Sequence, residues 1–339
     1  MSENLPQNTI DKLYTEVSQI ITEARNTVYK AANAEMVKAY WYIGRKIVEE
    51  EQKGVVKAEY GKELMILLSK KLTRELGRGF SKSNLFNMRR LYLSYPIFQT
   101  LSGKLSWSHY CELLTISDND ARLFYEKEAV NANWSLRELK RQIESSLFER
   151  LLLSKGSSNK EKVIELSQKG LLIKQPSDII KDPYVFDFLN LPENKPMLEK
   201  DLELKLIRHI EDFLLELGKG FMYVGSQQRI TLGNEHYYVD MVFYNKILKA
   251  YVLIDLKVRK LKHIDIGQMN TYLNYFKAEV NEETDNEPIG IILCANKNEI
   301  EAEYALGGLN NRIFASKYVY HLPDKELLMR EVEKAIEKR

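Results

Sequence analysis

The chain has 339 residues, 44% of them hydrophobic and 29% charged; it is long enough for two or three domains of about 100–200 residues each and has the make-up of a soluble globular protein. Its formal net charge is only +2, but the first 155 residues carry a net of +5 and the remainder a net of −3. No apolar run approaches the ~20 residues that span a bilayer, the N-terminal stretch lacks the basic-then-apolar order of a secretory signal, and Cys111 and Cys294 have no Cys or His neighbour at metal spacing. These features argue against a membrane protein, a disulfide framework and a structural zinc site, and for the cytoplasm.

Residues 8–50 read as helix: Ile10, Leu13, Val17, Ile20 and Ile21 recur at intervals of three and four, and a second run follows through Met36, Tyr40, Ile43, Ile47 and Val48. A further amphipathic helix covers 59–76. Gly77 and Gly79 break it, and Ser81 is a suitable N-cap for a helix from Lys82 to about Ser94, closed by Pro96. Helical pattern resumes over 106–150. The stretch "SKGSSNKEK" at 154–162 is polar and Ser/Gly-rich, and is expected to be a linker. Beyond it, a helix is expected at 201–217 and strands at 221–230, 236–244, 250–257, 289–294 and 313–321. Helices at 264–278, 298–306 and 324–337 complete a mixed α/β domain. The chain thus divides into an all-α part, 8–153, and an α/β part, 163–339.

The basic excess is greatest in residues 51–100, where two helices meet at a short Gly-containing turn. That is the helix-turn-helix pattern, in which the second helix enters the major groove. Lys82, Ser83, Asn84 and Asn87 are the polar positions able to donate hydrogen bonds from its early turns, and Arg78, Arg89 and Arg90 are the candidates for phosphate oxygens. Any two amphipathic helices joined by a Gly turn share this pattern, so a solvated charged surface explains it equally well.

In "YVLIDLKVRK" an apolar strand ends on Asp255 and Lys257, which share a face because side chains alternate along a strand, with Leu256 opposite. The preceding run "HYYVDMVFY" contains Asp240, and "NKILK" between the two reads as a hairpin turn. Two carboxylates on neighbouring strands and the Leu256 carbonyl suit a divalent cation that prefers oxygen ligands. Lys257 would orient a water or stabilise developing negative charge. Downstream, "DIGQMNTYLNYF" is helical, so Gln268 and Tyr272 lie on one face, Gln268 toward the site and Tyr272 supporting it. Taken singly, each feature is as common in purely structural roles.

Together, a strand Asp, a hairpin, an apolar strand with Asp-x-Lys, and a helix with Gln-x-x-x-Tyr resemble the PD-(D/E)xK nuclease core. Longer stretches, among them "FLLELGKGFMYVG", "YYVDMVFYNKILKAYVLIDLK", "GQMNTYLNYF", "AEYGKELMILLSKKLTRELGRGFS" and "WSLRELKRQI", are similar to the YhcG-type family of bacterial PD-(D/E)xK nucleases. The resemblance implies an α+β multidomain protein: a helix-turn-helix or winged-helix-like DNA-binding region followed by a restriction-endonuclease-like α/β nuclease domain. It implies a metal-dependent DNA endonuclease using Mg²⁺ or Mn²⁺, with Asp240 and Asp255 as ligands. The rival readings are a non-catalytic DNA-binding scaffold and an RNA-directed nuclease. DNA, duplex or branched, is the expected partner. A double-strand cut by a one-site chain calls for a homodimer, and a defence or repair system would supply protein partners. The family commonly has Glu where this chain has Asp255, and Arg where it has Ser226. A further acid from the helix before the first strand is expected; Glu203 is favoured over Glu211 and Glu216, because it shares a stripe with Ile207, Ile210 and Leu214. An unpaired inward acid would be costly, although a helix start also favours an anion.

Overall fold

The computed structural model describes residues 7–53, 58–153, 160–191, 198–296 and 312–337. Two compact units compose it, Met1–Arg122 and Leu123–Arg339. No described helix is long and apolar enough to cross a membrane.

Among its described residues the first unit is entirely helical. It comprises α1 (Gln7–Lys53), α2 (Ala58–Leu76), α3 (Lys82–Ser94) and α4 (Trp107–Leu113), with no strand that would form a wing. The two helical runs expected before residue 50 are one continuous helix. The start of α3 follows from local chemistry: Ser81 Oγ accepts the Asn84 N–H at 3.2 Å, satisfying one of the donors a helix leaves open at its beginning. Leu85, Met88 and Leu91 face inward as their spacing requires, and Ile47 and Met65 pack with Leu85 and Met88. Here α1 crosses α3 so closely that a Cβ on Gly44 would sit 2.0 Å from the Met88 carbonyl oxygen. Trp41 Nε1 fastens the crossing by donating to Tyr95 O at 2.7 Å.

The second unit is built on a six-stranded sheet: β1 (Tyr184–Val185), β2 (Phe221–Leu232), β3 (Glu235–Asn245), β4 (Ala250–Lys260), β5 (Ile289–Asn296) and β6 (Ile313–Val319), in spatial order β1-β6-β5-β4-β3-β2. The strands β2, β3 and β4 run antiparallel; β4, β5, β6 and β1 are parallel. The expected hairpin between β3 and β4 is present, with Asn245 Oδ1 accepting from the backbone of Ile247 (3.0 Å) and Leu248 (3.1 Å). The connection from β4 to its parallel neighbour β5 is carried by α11 (His263–Tyr275) and a π-helical turn at Phe276–Val280. The helix expected at 201–217 is two, α9 (Glu199–Arg208) and α10 (Ile210–Leu217), parted at His209. Leu202, Leu206, Phe213 and Leu217 from these helices bury one side of the sheet with Met241, Phe243, Ile254 and Leu256. Ile266, Met269 and Tyr272 of α11 bury the other with Leu253 and Ile292. The helix expected at 298–306 lies outside the described residues.

The remaining helices are α5 (Asn119–Asn131), α6 (Leu136–Glu144), α7 (Leu147–Leu153), α8 (Lys160–Lys169) and, at the far end, α12 (Lys325–Glu337). The linker expected at 154–162 is not where the compact units part. Residues 154–159 lie outside the described residues and 160–162 open α8, while residues from Leu123 onward belong with the sheet. Arg150 of α7 gives the reason. It is completely buried, its Nη1 lies 2.5 Å from Glu216 Oε1 and 3.0 Å from Pro183 O, and its Nε donates to Ser145 O at 2.8 Å. Glu216 Oε1 also accepts the Val185 N–H at 3.0 Å, and Lys181 donates to the Glu216 carbonyl. Burial opposes ionisation of Glu216, but the cations of Arg150, Lys181 and Arg141 outweigh it and hold its carboxyl below the usual range. Helix α7 is thus locked to α10 and β1 by a buried charge cluster, and Glu216, one of the alternatives to Glu203 as an active-site acid, is part of that lock.

Two substitutions test this packing by denaturant unfolding. Gly44→Ala, which drives a methyl into backbone, is expected to destabilise the helical unit by about 1–3 kcal/mol. Glu216→Ala leaves Arg150 buried without its counter-charge and is expected to cost about 3–5 kcal/mol.

Candidate active site

Strand β4 lies between β3 and β5 and is covered on both faces, so its side chains are buried up to Lys257. Asp255 is 2% exposed and Lys257 7%. By strand alternation they share the side on which Leu253 meets α11, whereas Ile254 and Leu256 enter the core beneath α9 and α10. The β3–β4 ladder pairs Met241 with Ile254; one step further the same register sets Asp240 opposite Asp255. There the ladder opens. The Leu256 N–H is taken by Asp240 Oδ2 at 2.7 Å, so a side chain replaces a strand partner. Lys257 Nζ lies 2.7 Å from Asp255 Oδ2 and 3.8 Å from Glu199 Oε2, at the start of α9.

A third strand extends the row. Gln227 of β2 stands between Ser226, paired with Met241, and Gln228, paired with Val239, and so faces Asp240. Its backbone is left-handed, with φ of 50°, a conformation that strains a residue with a side chain. Its Nε2 donates to Glu203 Oε2 at 2.7 Å and reaches Asp240 Oδ1 at 3.3 Å, bridging the two acids. Glu203 is therefore inward and occupied, not a solvated helix start. On α11, Gln268 donates to the Tyr272 hydroxyl, which donates in turn to Tyr238 O at 3.1 Å. The start of α11 is fixed by Asp265, which accepts Arg259 Nη1 (2.8 Å), Arg259 Nη2 (2.7 Å) and the Lys262 N–H (2.9 Å).

Burial sets the electrostatics. It pushes the Asp255 carboxyl up to about 7, with the charge of Lys257 pulling down and that of Asp240 pushing further up. Asp240 and Glu203 are also raised by burial, against the hydrogen bonds from Leu256 and Gln227 respectively. Burial pulls on the Lys257 amine as well, but the Asp255 carboxylate beside it prevails and holds it above its ordinary value.

The donor set fits a hard divalent cation. Asp255 Oδ2 is buried and meets the Lys257 ammonium at 2.7 Å; with the half-buried Asp240 beside it, two desolvated carboxylates share that ammonium, a balance that a bound cation would complete. Among the described residues no three His, Cys, Asp or Glu side chains converge closely enough to hold a metal unaided. Two carboxylates and a carbonyl are a number of protein ligands that leaves room for the waters Mg²⁺ retains.

The structure brings Asp240, Asp255, Lys257, Glu203, Gln268 and Tyr272 into the same unit, around the second half of β4. Gln227, which follows Ser226 in "VGSQQRI" and matches the family's Gln there, joins them, as do two groups that sequence reasoning did not single out: Glu199 and the Arg259–Asp265 pair. The strand register is what sets Gln227 against Asp240. The residues expected to contact DNA fall into two sets. Asn84 accepts from Trp107 Nε1 at 2.9 Å and donates to Gly79 O, Asn87 donates to Cys111 Sγ at 3.6 Å, Arg89 pairs with Glu51 at 2.6 Å, and Arg90 donates to Leu114 O. Arg78, Lys82 and Ser83 are exposed.

Comparison with known proteins places these features. The YhcG PDDEXK nuclease domain matches residues 177–333, and the DUF1016 N-terminal domain matches residues 16–150. The YhcG protein of Escherichia coli (strain K12) is 38% identical over 353 residues, an alignment covering 95% of this chain and 93% of that protein. Among solved structures, a repair endonuclease from Pyrococcus abyssi aligns with 37% of this chain and 49% of its own, at 21% identity and a TM-score of 0.28.

The Arg259–Asp265 pair yields a test of how α11 is held. Folding depresses the Asp265 carboxyl, burial notwithstanding, because Arg259 and the Lys262 N–H favour the anion. The stability it contributes is present above the ordinary carboxylate range and is lost as pH falls below it. Asp265→Asn is expected to lower stability by about 1–3 kcal/mol at neutral pH and to flatten the acid limb of a stability–pH curve relative to the unaltered protein.

Proposed function

The chain belongs to the YhcG family of PDDEXK nucleases, and we propose that it hydrolyses DNA phosphodiester bonds with a divalent cation, Mg²⁺ or Mn²⁺, at Asp255 and Lys257 of β4. One observation carries this reading: the buried Asp255 and the half-buried Asp240 lie together and share the ammonium of Lys257, which is 2.7 Å from Asp255 Oδ2. Asp240, Asp255 and the Leu256 carbonyl would hold the ion, with Glu203 joined to the set through Gln227. The cation, when bound, polarises the scissile phosphate and makes a bound water more acidic.

The chain's own groups do the rest. Lys257 keeps its proton, because Asp255 holds it raised, and so presents a positive charge beside the attacked phosphate. Tyr272, fixed by Tyr238 O, would hold the Gln268 amide in place through the bond between them. Gln227 keeps Glu203 and Asp240 apart and oriented, and its strained backbone is consistent with a functional position. Asp255 is one methylene shorter than the Glu common in the family, and its position inside the sheet brings the carboxylate to Lys257 all the same.

DNA would be positioned by the helical unit. The exposed cations Lys70, Lys71, Arg74, Arg78 and Lys82 line the end of α2, the turn and the start of α3, and suit sequence-independent contacts to phosphates. Asn84, Asn87, Arg89 and Arg90 instead hold that surface in shape.

Purified protein is expected to nick or cut DNA when Mg²⁺ is supplied. Asp255→Ala and Lys257→Ala should each lower the rate by at least about 100-fold while leaving thermal unfolding cooperative. Calorimetric Mg²⁺ binding should disappear in Asp240→Ala. Full activity in both the Asp255 and Lys257 variants would refute the assignment.

A further inference from the structure

The first half of α1 carries an apolar stripe that its own unit does not cover. Ile10, Leu13, Val17, Ile20, Ala24, Thr27, Ala31 and Ala34 alternate at spacings of three and four, a heptad seam with Ile10, Val17, Ala24 and Ala31 at the a positions and Leu13, Ile20, Thr27 and Ala34 at d. Tyr14, Ile21 and Val28 widen it on one flank. These large side chains stand in water: Leu13 is 60% exposed, Ile20 66% and Val28 69%, with Ile10, Tyr14, Val17 and Ile21 also exposed.

This stripe is not a frayed continuation of the core. The second half of α1 packs through Val37, Trp41, Gly44 and Val48, and at about 100° per residue the mean direction of that face lies roughly 110° around the helix from that of the heptad seam. A single helix thus presents two apolar faces, one spent on α3 and one left over. An unpartnered row of this kind, about 35 Å long from Ile10 to Ala34 at a rise of 1.5 Å per residue, is costly to leave in water.

We propose that this stripe pairs with its counterpart on a second copy of the chain, forming a parallel two-helix coiled coil. Three features select that occupant. Ile10, Val17, Leu13 and Ile20 fill the a and d layers of the first two heptads with large apolar side chains; β-branched residues at a with Leu13 at d follow the pattern of two parallel strands, from which Ile20 at the second d departs. The seam's last two heptads are built of Ala24, Thr27, Ala31 and the partly covered Ala34, small residues that let two identical helices approach. In a parallel pair, Lys30 at the g position faces Glu35 at the e position of the other copy, an attraction that occurs twice by symmetry; Glu35 has Lys38 of its own helix at 3.7 Å and a largely exposed carboxylate. The pairing needs no feature of the nuclease site, so it stands or falls separately. Its consequence would be two copies of that site in one particle.

Sedimentation of the full chain at micromolar concentration is expected to show a dimer. Leu13→Glu with Ile20→Glu, which places charges in two d layers, should raise the dissociation constant about 1000-fold or more and yield monomer. The near-ultraviolet dichroism of Trp41 and Trp107, packed in the helical core, should not change. Lys30→Glu should weaken the dimer on the order of 10-fold, and adding Glu35→Lys should restore it. A monomeric parent protein, an assembly other than a dimer, or a dimer that survives the Leu13/Ile20 change overturns the proposal. Failure of the charge swap to restore pairing overturns the parallel register.

Discussion

Strand β4 occupies the middle of the sheet and is buried on both faces, yet it carries an acid and a base, Asp255 and Lys257, within its length. Everything at the candidate site follows from that placement. A carboxylate and an ammonium in such surroundings lose their hydration and must find partners among themselves. Lys257 therefore turns onto Asp255, Asp240 turns onto the Leu256 N–H, and Gln227 ties Asp240 to Glu203. The carboxyls outnumber the cations near them, and burial holds three of them above their ordinary range. The β3–β4 ladder ends at Met241 and Ile254, and the Leu256 N–H beyond it is taken by Asp240 Oδ2.

A second buried charge cluster does a different task. Arg150, Lys181 and Glu216 are removed from solvent and matched to one another, with backbone carbonyls and the Val185 N–H taking the remaining bonds. The result is attachment: α7 cannot leave the sheet without stranding Arg150. This explains why homology and packing draw the boundary differently. The DUF1016 N-terminal domain reaches residue 150, whereas the compact units part between Arg122 and Leu123. The last helices of the N-terminal sequence family are, physically, part of the nuclease unit.

The contrast between Glu203 and Glu216 shows how far pattern could be read. Both lie on the inward stripe of adjoining helices, and both are acids that burial would penalise. Periodicity identifies them equally as inward. It does not say that one meets Gln227 and the other Arg150, because those partners come from segments 24 and 66 residues away. The same limit applies to α3. Its inward residues were legible from spacing, as was its Ser81 cap. The destinations of Asn84, Asn87, Arg89 and Arg90 depend on Trp107, Cys111, Glu51 and Leu114, which only the folded arrangement brings near.

By itself, the sequence determined the all-α and α/β halves, the five longer strands, and the pairing of Asp255 with Lys257 on one face. These are local matters, set by periods of 3.6 and 2.0 and by the residues that end helices and turn hairpins. The heptad seam of α1 is of the same kind. Tertiary structure alone decided what those elements meet: the register that sets Gln227 and Asp255 on either side of Asp240, the buried Arg150 that assigns α7 to the sheet, and the face of α1 that α3 covers. Each depends on strand register or helix crossing between distant segments, and a single residue's shift in either would redirect every side chain involved.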